Sequence, residues 1–182
     1  MSDGLAFHPI ASIFPLFEGE SLERLADDIR QNGLRESAWL FEGKILDGRN
    51  RSTACTMAGV KLETREFSGS YAEAIAFVWS ENFHRRHLDS GQAAVADAKR
   101  VKMVSEYAAI VEKMKAEAKG RKRGGQGGKL LTQQSGEATD RHARQTSAIR
   151  AKMVGTNRRY IEAAESLLES APEKLEAVEK GE

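Results

Sequence analysis

The sequence predicts an α+β amino-terminal domain followed by an all-α domain. Three observations carry that reading. In residues 1–90, short apolar runs of strand character alternate with helical patterns, whereas from Ser90 onward every patterned segment repeats at helical spacing. Between the two halves the charge changes abruptly. Residues 1–90 hold 10 Lys/Arg and 14 Asp/Glu, a net of −4; residues 91–161 hold 16 and 6, a net of +10; residues 162–182 hold 2 and 7, a net of −5. A basic middle between acidic ends is the asymmetry expected of a segment that contacts nucleic acid, and the overall charge of +1 conceals it.

The 182 residues suffice for one domain or two small ones, and 40% hydrophobic with 30% charged residues is an ordinary composition for a packed soluble chain. No apolar run approaches the ~20 residues that span a bilayer, and the start lacks a signal-peptide pattern. The reading is therefore cytoplasmic, with no membrane partner. The single cysteine, Cys55, excludes an internal disulfide and suits a reducing compartment.

The elements follow in order. Residues 1–20 are irregular, because Pro9 and Pro15 oppose helix. A helix starts at Ser21, with Leu22, Leu25, Ala26 and Ile29 on one face, and ends at Asn32-Gly33. Ala38–Phe41 and Lys44–Leu46 flank Glu42-Gly43 as a hairpin. A second helix runs from about Arg49 to Ala58 and stops at Gly59, and Lys61–Phe67 alternates as a strand with one buried face. Ser70 and Glu73 form a capping box for a helix through Asn82, with Ile75, Ala76, Val78 and Trp79 inward. Asp89 and Gln92 form another, opening a long helix over 90–119 whose apolar stripe is Ala93, Ala96, Val101, Val104, Tyr107, Ala108 and Val111. Residues 120–136 hold six glycines with basic residues and read as a flexible linker. Gly128-Lys129 there is not a P-loop, since the earlier glycine is missing and Leu130 replaces Ser/Thr. The predicted organisation is thus 1–89, a connecting helix 90–119, the linker 120–136, and a helical domain 137–182.

Within that last segment, Arg141–Val154, a break at Gly155 and Asn157–Ser170 have the spacing of a helix-turn-helix. Ala151, Val154, Ile161 and Ala164 would lock the crossing, and Thr156 or Asn157 would cap the second helix. Thr156, Asn157, Arg158, Arg159 and Tyr160 then stand at its exposed start, where such motifs meet bases and phosphates; Arg150 and the linker's Arg121, Lys122 and Arg123 add cationic contacts to double-stranded DNA. Pro172 fits the first turn of a final acidic helix.

Two further segments carry chemistry. Ile45-Leu46-Asp47-Gly48-Arg49-Asn50-Arg51 runs from strand through a glycine turn into a helix. Backbone N–H groups at that helix start, with the guanidinium groups of Arg49 and Arg51, can hold a phosphate. Glu81-Asn82-Phe83-His84-Arg85 ends the next helix and can fold back onto the same place. Trp39 and Trp79 sit in apolar runs and read as core rather than base-stacking residues.

Together these two boxes resemble the ParB/Spo0J amino-terminal domain, the fold shared with sulfiredoxin. The first matches the family's Gly-Glu-Arg-Arg-type box, and Glu81-Asn82 with Arg85 and Leu88 matches its Glu-Asn-x-x-Arg-x-x-Leu box. The resemblance implies a nucleoside triphosphate, CTP or ATP, with Mg²⁺. The nucleotide would be held by Gly48, Arg49, Asn50, Arg51, Ser52 and Arg85, with Glu81 on the metal and Asn82 orienting a water for what would be slow hydrolysis. It further implies a nucleotide-responsive DNA-binding protein of plasmid or phage partition or of transcriptional regulation, a homodimer, a ParA-like ATPase partner and nucleoid association. Two departures stand out. Arg49 replaces the usual Glu, and the arginine box after an early Asn-Pro is missing, Pro15-Leu16-Phe17 standing there instead. The Gly-Arg-Asn-Arg form is more similar to ParB-like proteins of phages and mobile elements.

The runner-up is a metal-dependent nuclease or phosphotransferase on the same fold, with Asp47 and Glu81 as its carboxylates. Sulfiredoxin-like redox chemistry is set aside, since it needs cysteine where Arg49 stands, and Cys55 reads as a core residue.

Overall fold

A computed structural model describes residues 4–122 and 136–181 of the chain, with side chains described at 4–116 and 144–181. It divides into two units, Met1–His87 and Leu88–Glu182. The first is α+β and the second is helical, as the sequence predicts.

The first unit begins with a 3₁₀ turn, Pro9–Ile13, whose first N–H groups are capped by the His8 ring accepting from Ile10 N–H at 3.2 Å. Helix α1 (Gly19–Asn32) starts two residues earlier than the sequence suggests; Glu18, not Ser21, occupies the cap position and makes no side-chain cap bond. Strands β1 (Ala38–Phe41) and β2 (Lys44–Asp47) pair antiparallel. Glu42 and Gly43 both take positive φ (51° and 71°), the mirror-image turn that matches strand twist. Helix α2 (Arg49–Ala58) lies between two left-handed glycines, Gly48 and Gly59. Strand β3 (Thr64–Glu66) pairs parallel to β1, giving the mixed order β2-β1-β3. It is shorter than the expected Lys61–Phe67 and exposed at all three residues; burial falls on the flanking Leu62 instead.

Helix α3 (Tyr71–Phe83) opens with the predicted capping box, both reciprocal bonds being present. Alternate β1 residues face opposite sides of the sheet. Ala38 and Leu40 pack with Ala26 and Ile29 of α1 and with Ala54 and Cys55 of α2. Trp39 and Phe41 meet Phe77 and Tyr71 of α3, with ring centroids 5.3 and 6.5 Å apart. On α3 the buried face is Ala74, Ile75, Val78 and Asn82, so Ala74 takes the place expected of Ala76, which is exposed.

In the second unit, α4 (Ser90–Lys122) is capped by the Asp89–Gln92 pair, at 2.8 and 3.2 Å. Every residue from Ala93 to Ala98 is buried, under α6 (Arg158–Ser170) and α7 (Glu173–Lys180). Farther along, the expected stripe is half-buried at Val101, Tyr107 and Val111 and exposed at Val104 and Ala108, and Ile110 and Met114, outside that stripe, are exposed too. Because α4 reaches Lys122 and α5 (Gly136–Met153) starts at Gly136, the remainder of the expected linker lies outside the described residues. No helix among the described residues is long and apolar enough to cross a membrane.

Candidate functional site: an arginine-lined cavity

Strand β2 delivers Asp47 to the end of the sheet, and the chain must then reverse into α2. Gly48 does this at φ +102°, a region that L side chains rarely enter. A Cβ there would also lie 3.0 Å from the Ala38 Cβ and 3.0 Å from Arg51 Nη2, so the Arg51 guanidinium rests over the glycine. The first-turn N–H groups of Arg49, Asn50 and Arg51 have no intrahelical acceptor, and they form the positive end of α2.

Arg51 is mostly buried. Its Nη2 donates to Asp47 Oδ2 at 2.9 Å and its Nη1 to Glu36 Oε2 at 3.2 Å, while its buried Nε has no hydrogen-bond partner. From the end of α3, Asn82 Nδ2 donates to Asp47 Oδ1 at 2.8 Å and to the Val78 carbonyl at 3.0 Å. Its Oδ1 accepts from Arg86 Nε at 3.2 Å. Arg85 Nη1 comes within 3.9 Å of Glu36 Oε2, the oxygen that Arg51 also uses. The two arginine-bearing corners, thirty-odd residues apart in sequence, therefore converge on one carboxylate.

They border a cavity of about 420 Å³, within the usual range for small-ligand sites. Its apolar wall includes Phe14, Leu25, Ile29, Leu34, Leu46 and Val78. Five arginines (Arg35, Arg49, Arg51, Arg85, Arg86) and three carboxylates (Asp28, Glu36, Asp47) also line it, leaving an excess of positive charge. Arg86 turns inward: Nη1 donates to the Pro15 carbonyl at 2.6 Å, and its guanidinium lies 5.5 Å from the Phe14 and Phe17 ring centroids. Burial lowers its pKa, as does the charge of Arg85, with Asp47 opposing. Arg49 bonds the Phe14 carbonyl, and Asn50 Oδ1 accepts from Phe17 N–H at 3.0 Å, so both pin the 14–17 segment to the cavity mouth.

Of the residues the sequence nominated, Gly48, Arg49, Asn50, Arg51, Asn82 and Arg85 line the cavity together. Ser52 and Glu81 do not. Ser52 is buried one turn into α2, its N–H bonded to the Gly48 carbonyl. Glu81 contributes its carbonyl to Arg85 Nε, and its carboxylate is not part of the wall. Asn82 has its amide committed on both sides, to Asp47 and to Arg86. Arg86, Glu36 and Phe17 are the residues that sequence reasoning passed over.

In the second unit, α5 and α6 pack across the turn Val154–Asn157. Ala151, Val154, Ile161 and Ala164 are buried as the spacing predicts, and Gly155 takes φ +72°. Asn157 is the cap, its Oδ1 accepting from Tyr160 N–H at 3.2 Å, whereas Thr156 Oγ1 donates to the Ser90 carbonyl at 3.0 Å. Arg158, Arg159 and Tyr160 are exposed at the helix start. Arg150 is placed differently from Arg158 and Arg159: its Nε donates to the fully buried Asp97 at 2.7 Å and its Nη1 pairs with Glu165, so it ties α4, α5 and α6 together. Arg121, Lys122 and Arg123 lie outside the described side chains.

No protein-family model matches the chain, and no curated protein matches it. Among solved structures it is similar to the C2221 form of a Pnob8-like ParB-N domain, at 17% identity over 96% of this chain and 69% of that one, with a TM-score of 0.45. It is also similar to a C-terminally truncated chromosome-partitioning protein ParB from Caulobacter crescentus, complexed with CTP-gamma-S, at 18% identity over 94% of this chain and 82% of that one, with a TM-score of 0.35. Both are ParB proteins. At this distance, function has to be read from the residues of this chain.

Proposed function

We propose that the first unit binds a nucleoside triphosphate in the arginine-lined cavity and that the second binds double-stranded DNA through the start of α6, making the protein a nucleotide-responsive DNA-binding protein. The observation that carries the reading is the meeting of Arg51 and Arg85 at one point beside the amino-terminal end of α2. Guanidinium forks and the N–H groups of a helix start are the donors that polyphosphate oxygens require. The apolar wall opposite them offers a surface for a base and ribose. Among the described residues no cluster of three or more His, Cys, Asp and Glu forms a metal site. An Mg²⁺ would arrive with the phosphates, as it commonly does.

For DNA, the support is the exposed Arg158-Arg159-Tyr160 start of a helix capped by Asn157 and crossed by α5. The net +10 of residues 91–161 supplies the electrostatic attraction. Exposed Val104, Ile110 and Met114 on α4 favour a homodimer. A role in partition with a ParA-like ATPase, or in transcription on a phage or mobile element, extends from the two motif boxes. DNA binding would hold the protein at the nucleoid. The nuclease or phosphotransferase reading draws no support from the geometry, because Asp47 is tied to Arg51 and Asn82 while Glu81 is off the cavity.

The test is calorimetric titration of the full chain with CTP, ATP and GTP in the presence of Mg²⁺, with and without duplex DNA. The proposal expects at least one triphosphate to bind and DNA to change its affinity. Triphosphate binding that is indifferent to DNA would leave two unlinked activities; absence of binding to all three would remove the nucleotide site.

A further inference from the structure

Two carboxylates share the Arg51 guanidinium, and they are held very differently. Asp47 is nearly buried, its side chain 10% exposed, and both its oxygens are engaged, one by Arg51 and one by Asn82. Glu36 is 63% exposed and meets Arg51 and Arg85 through one oxygen only, at 3.2 and 3.9 Å. It sits in the irregular segment between α1 and β1, so moving it breaks no helix or strand bond. If Glu36 swings out, Arg51 still keeps Asp47, and Arg85, half in solvent, gains hydration. Displacement is therefore inexpensive. With Glu36 in place the two guanidinium groups face two carboxylates; with it gone, one net positive charge is uncovered where the corners meet.

We propose that Glu36 is a built-in competitor, a carboxylate latch that occupies the phosphate position of the cavity and raises the threshold at which a polyphosphate is admitted. This rests on the reading of the cavity as a polyphosphate site. A ligand has to supply more negative charge than the carboxylate it removes, so extended polyphosphates are admitted ahead of single anions. Glu36 thereby weakens binding while keeping the cationic mouth closed to ordinary cellular anions.

The experiment uses inorganic tripolyphosphate as probe, titrated into the full chain calorimetrically at low salt, for wild type, Glu36→Gln, Arg51→Ala and the double variant. Since Glu36 is largely exposed and partly screened, its removal is expected to tighten tripolyphosphate binding about two- to fivefold, the range of an exposed charge–charge interaction, and the gain should shrink as salt rises. Arg51→Ala should lose binding, and Glu36→Gln should confer no gain in its presence. Denaturation of Glu36→Gln confirms that it is folded. Unchanged or weakened binding in Glu36→Gln, with loss in Arg51→Ala, overturns the latch and leaves the site standing. Undiminished binding in Arg51→Ala overturns the site, and the latch with it.

Discussion

Replacing Arg150 with methionine tests whether the second unit is assembled around an interior ion network or presents that arginine to DNA. Asp97 is fully buried and accepts from Arg150 Nε at 2.7 Å and from Arg100 Nη2 at 2.6 Å, and Arg150, 12% exposed, reaches Glu165 as well. Removing one partner of a buried pair costs ~3–5 kcal/mol, because the remaining charge is stranded. Arg100 still covers one oxygen of Asp97, so the lower end, ~3 kcal/mol, is expected. For a unit of this size each kcal/mol moves the melting temperature by ~4–8 °C, giving a fall of roughly 10–25 °C. Both tryptophans, Trp39 and Trp79, lie in the first unit. Thermal and urea unfolding of Arg150→Met should therefore shift by far-ultraviolet circular dichroism, with its larger helical share from the second unit, while tryptophan fluorescence stays put. The double variant Asp97→Leu with Arg150→Met removes the stranded carboxylate as well and should recover most of the loss. A single variant that melts like wild type but loses DNA affinity, with a salt slope shallower by about one, would refute the network and return Arg150 to the DNA.

Three further outcomes are expected. Burial lowers the His8 pKa from 6.5, with Glu42 partly opposing, so the unfolded chain takes up this proton first as the solution is acidified. The stability it contributes is complete above pH 6.5 and is lost as pH falls through the lower folded value. His8→Asn, which keeps an acceptor for Ile10 N–H, should flatten that acid limb in tryptophan-monitored unfolding; an unchanged profile would contradict it. Gly48→Ala should destabilise the first unit by ~1–3 kcal/mol and weaken triphosphate binding more than tenfold, because strain at a positive φ is compounded by displacement of Arg51. Gly59→Ala, at φ +69° with open space around its Cβ, should show the strain alone. Arg158→Ala and Arg159→Ala should each weaken DNA binding in gel-shift titrations and reduce the salt slope by ~1, with nucleotide affinity intact.

Much of the fold was legible because short-range chemistry sets it. Gly48 and Gly59 bracket α2 at the predicted residues, the Ser70–Glu73 and Asp89–Gln92 boxes open their helices, and Asn157 caps α6. What was not legible involves longer range. Arg150 reads as one more base on a cationic face, and its burial depends on Asp97, 53 residues away. Of the adjacent Arg85 and Arg86, the nominated one stays half-exposed and the other turns inward. A signal existed, since Arg86 is four residues after Asn82 and so continues the Val78–Asn82 face. Glu36 carried none, because it lies where the chain has no periodicity. Glu81 and Asn82 were both nominated by motif position, and the register of α3 brings Asn82 to the cavity wall.

The central claim is that two distant arginine corners make one triphosphate site. Its most direct test is calorimetry of wild type, Arg51→Ala and Arg85→Ala with the best-bound Mg²⁺-triphosphate, each variant shown to be folded. The account predicts that Arg51→Ala abolishes binding and Arg85→Ala weakens it, while non-specific DNA binding survives in both. Wild-type nucleotide affinity in Arg51→Ala would contradict it.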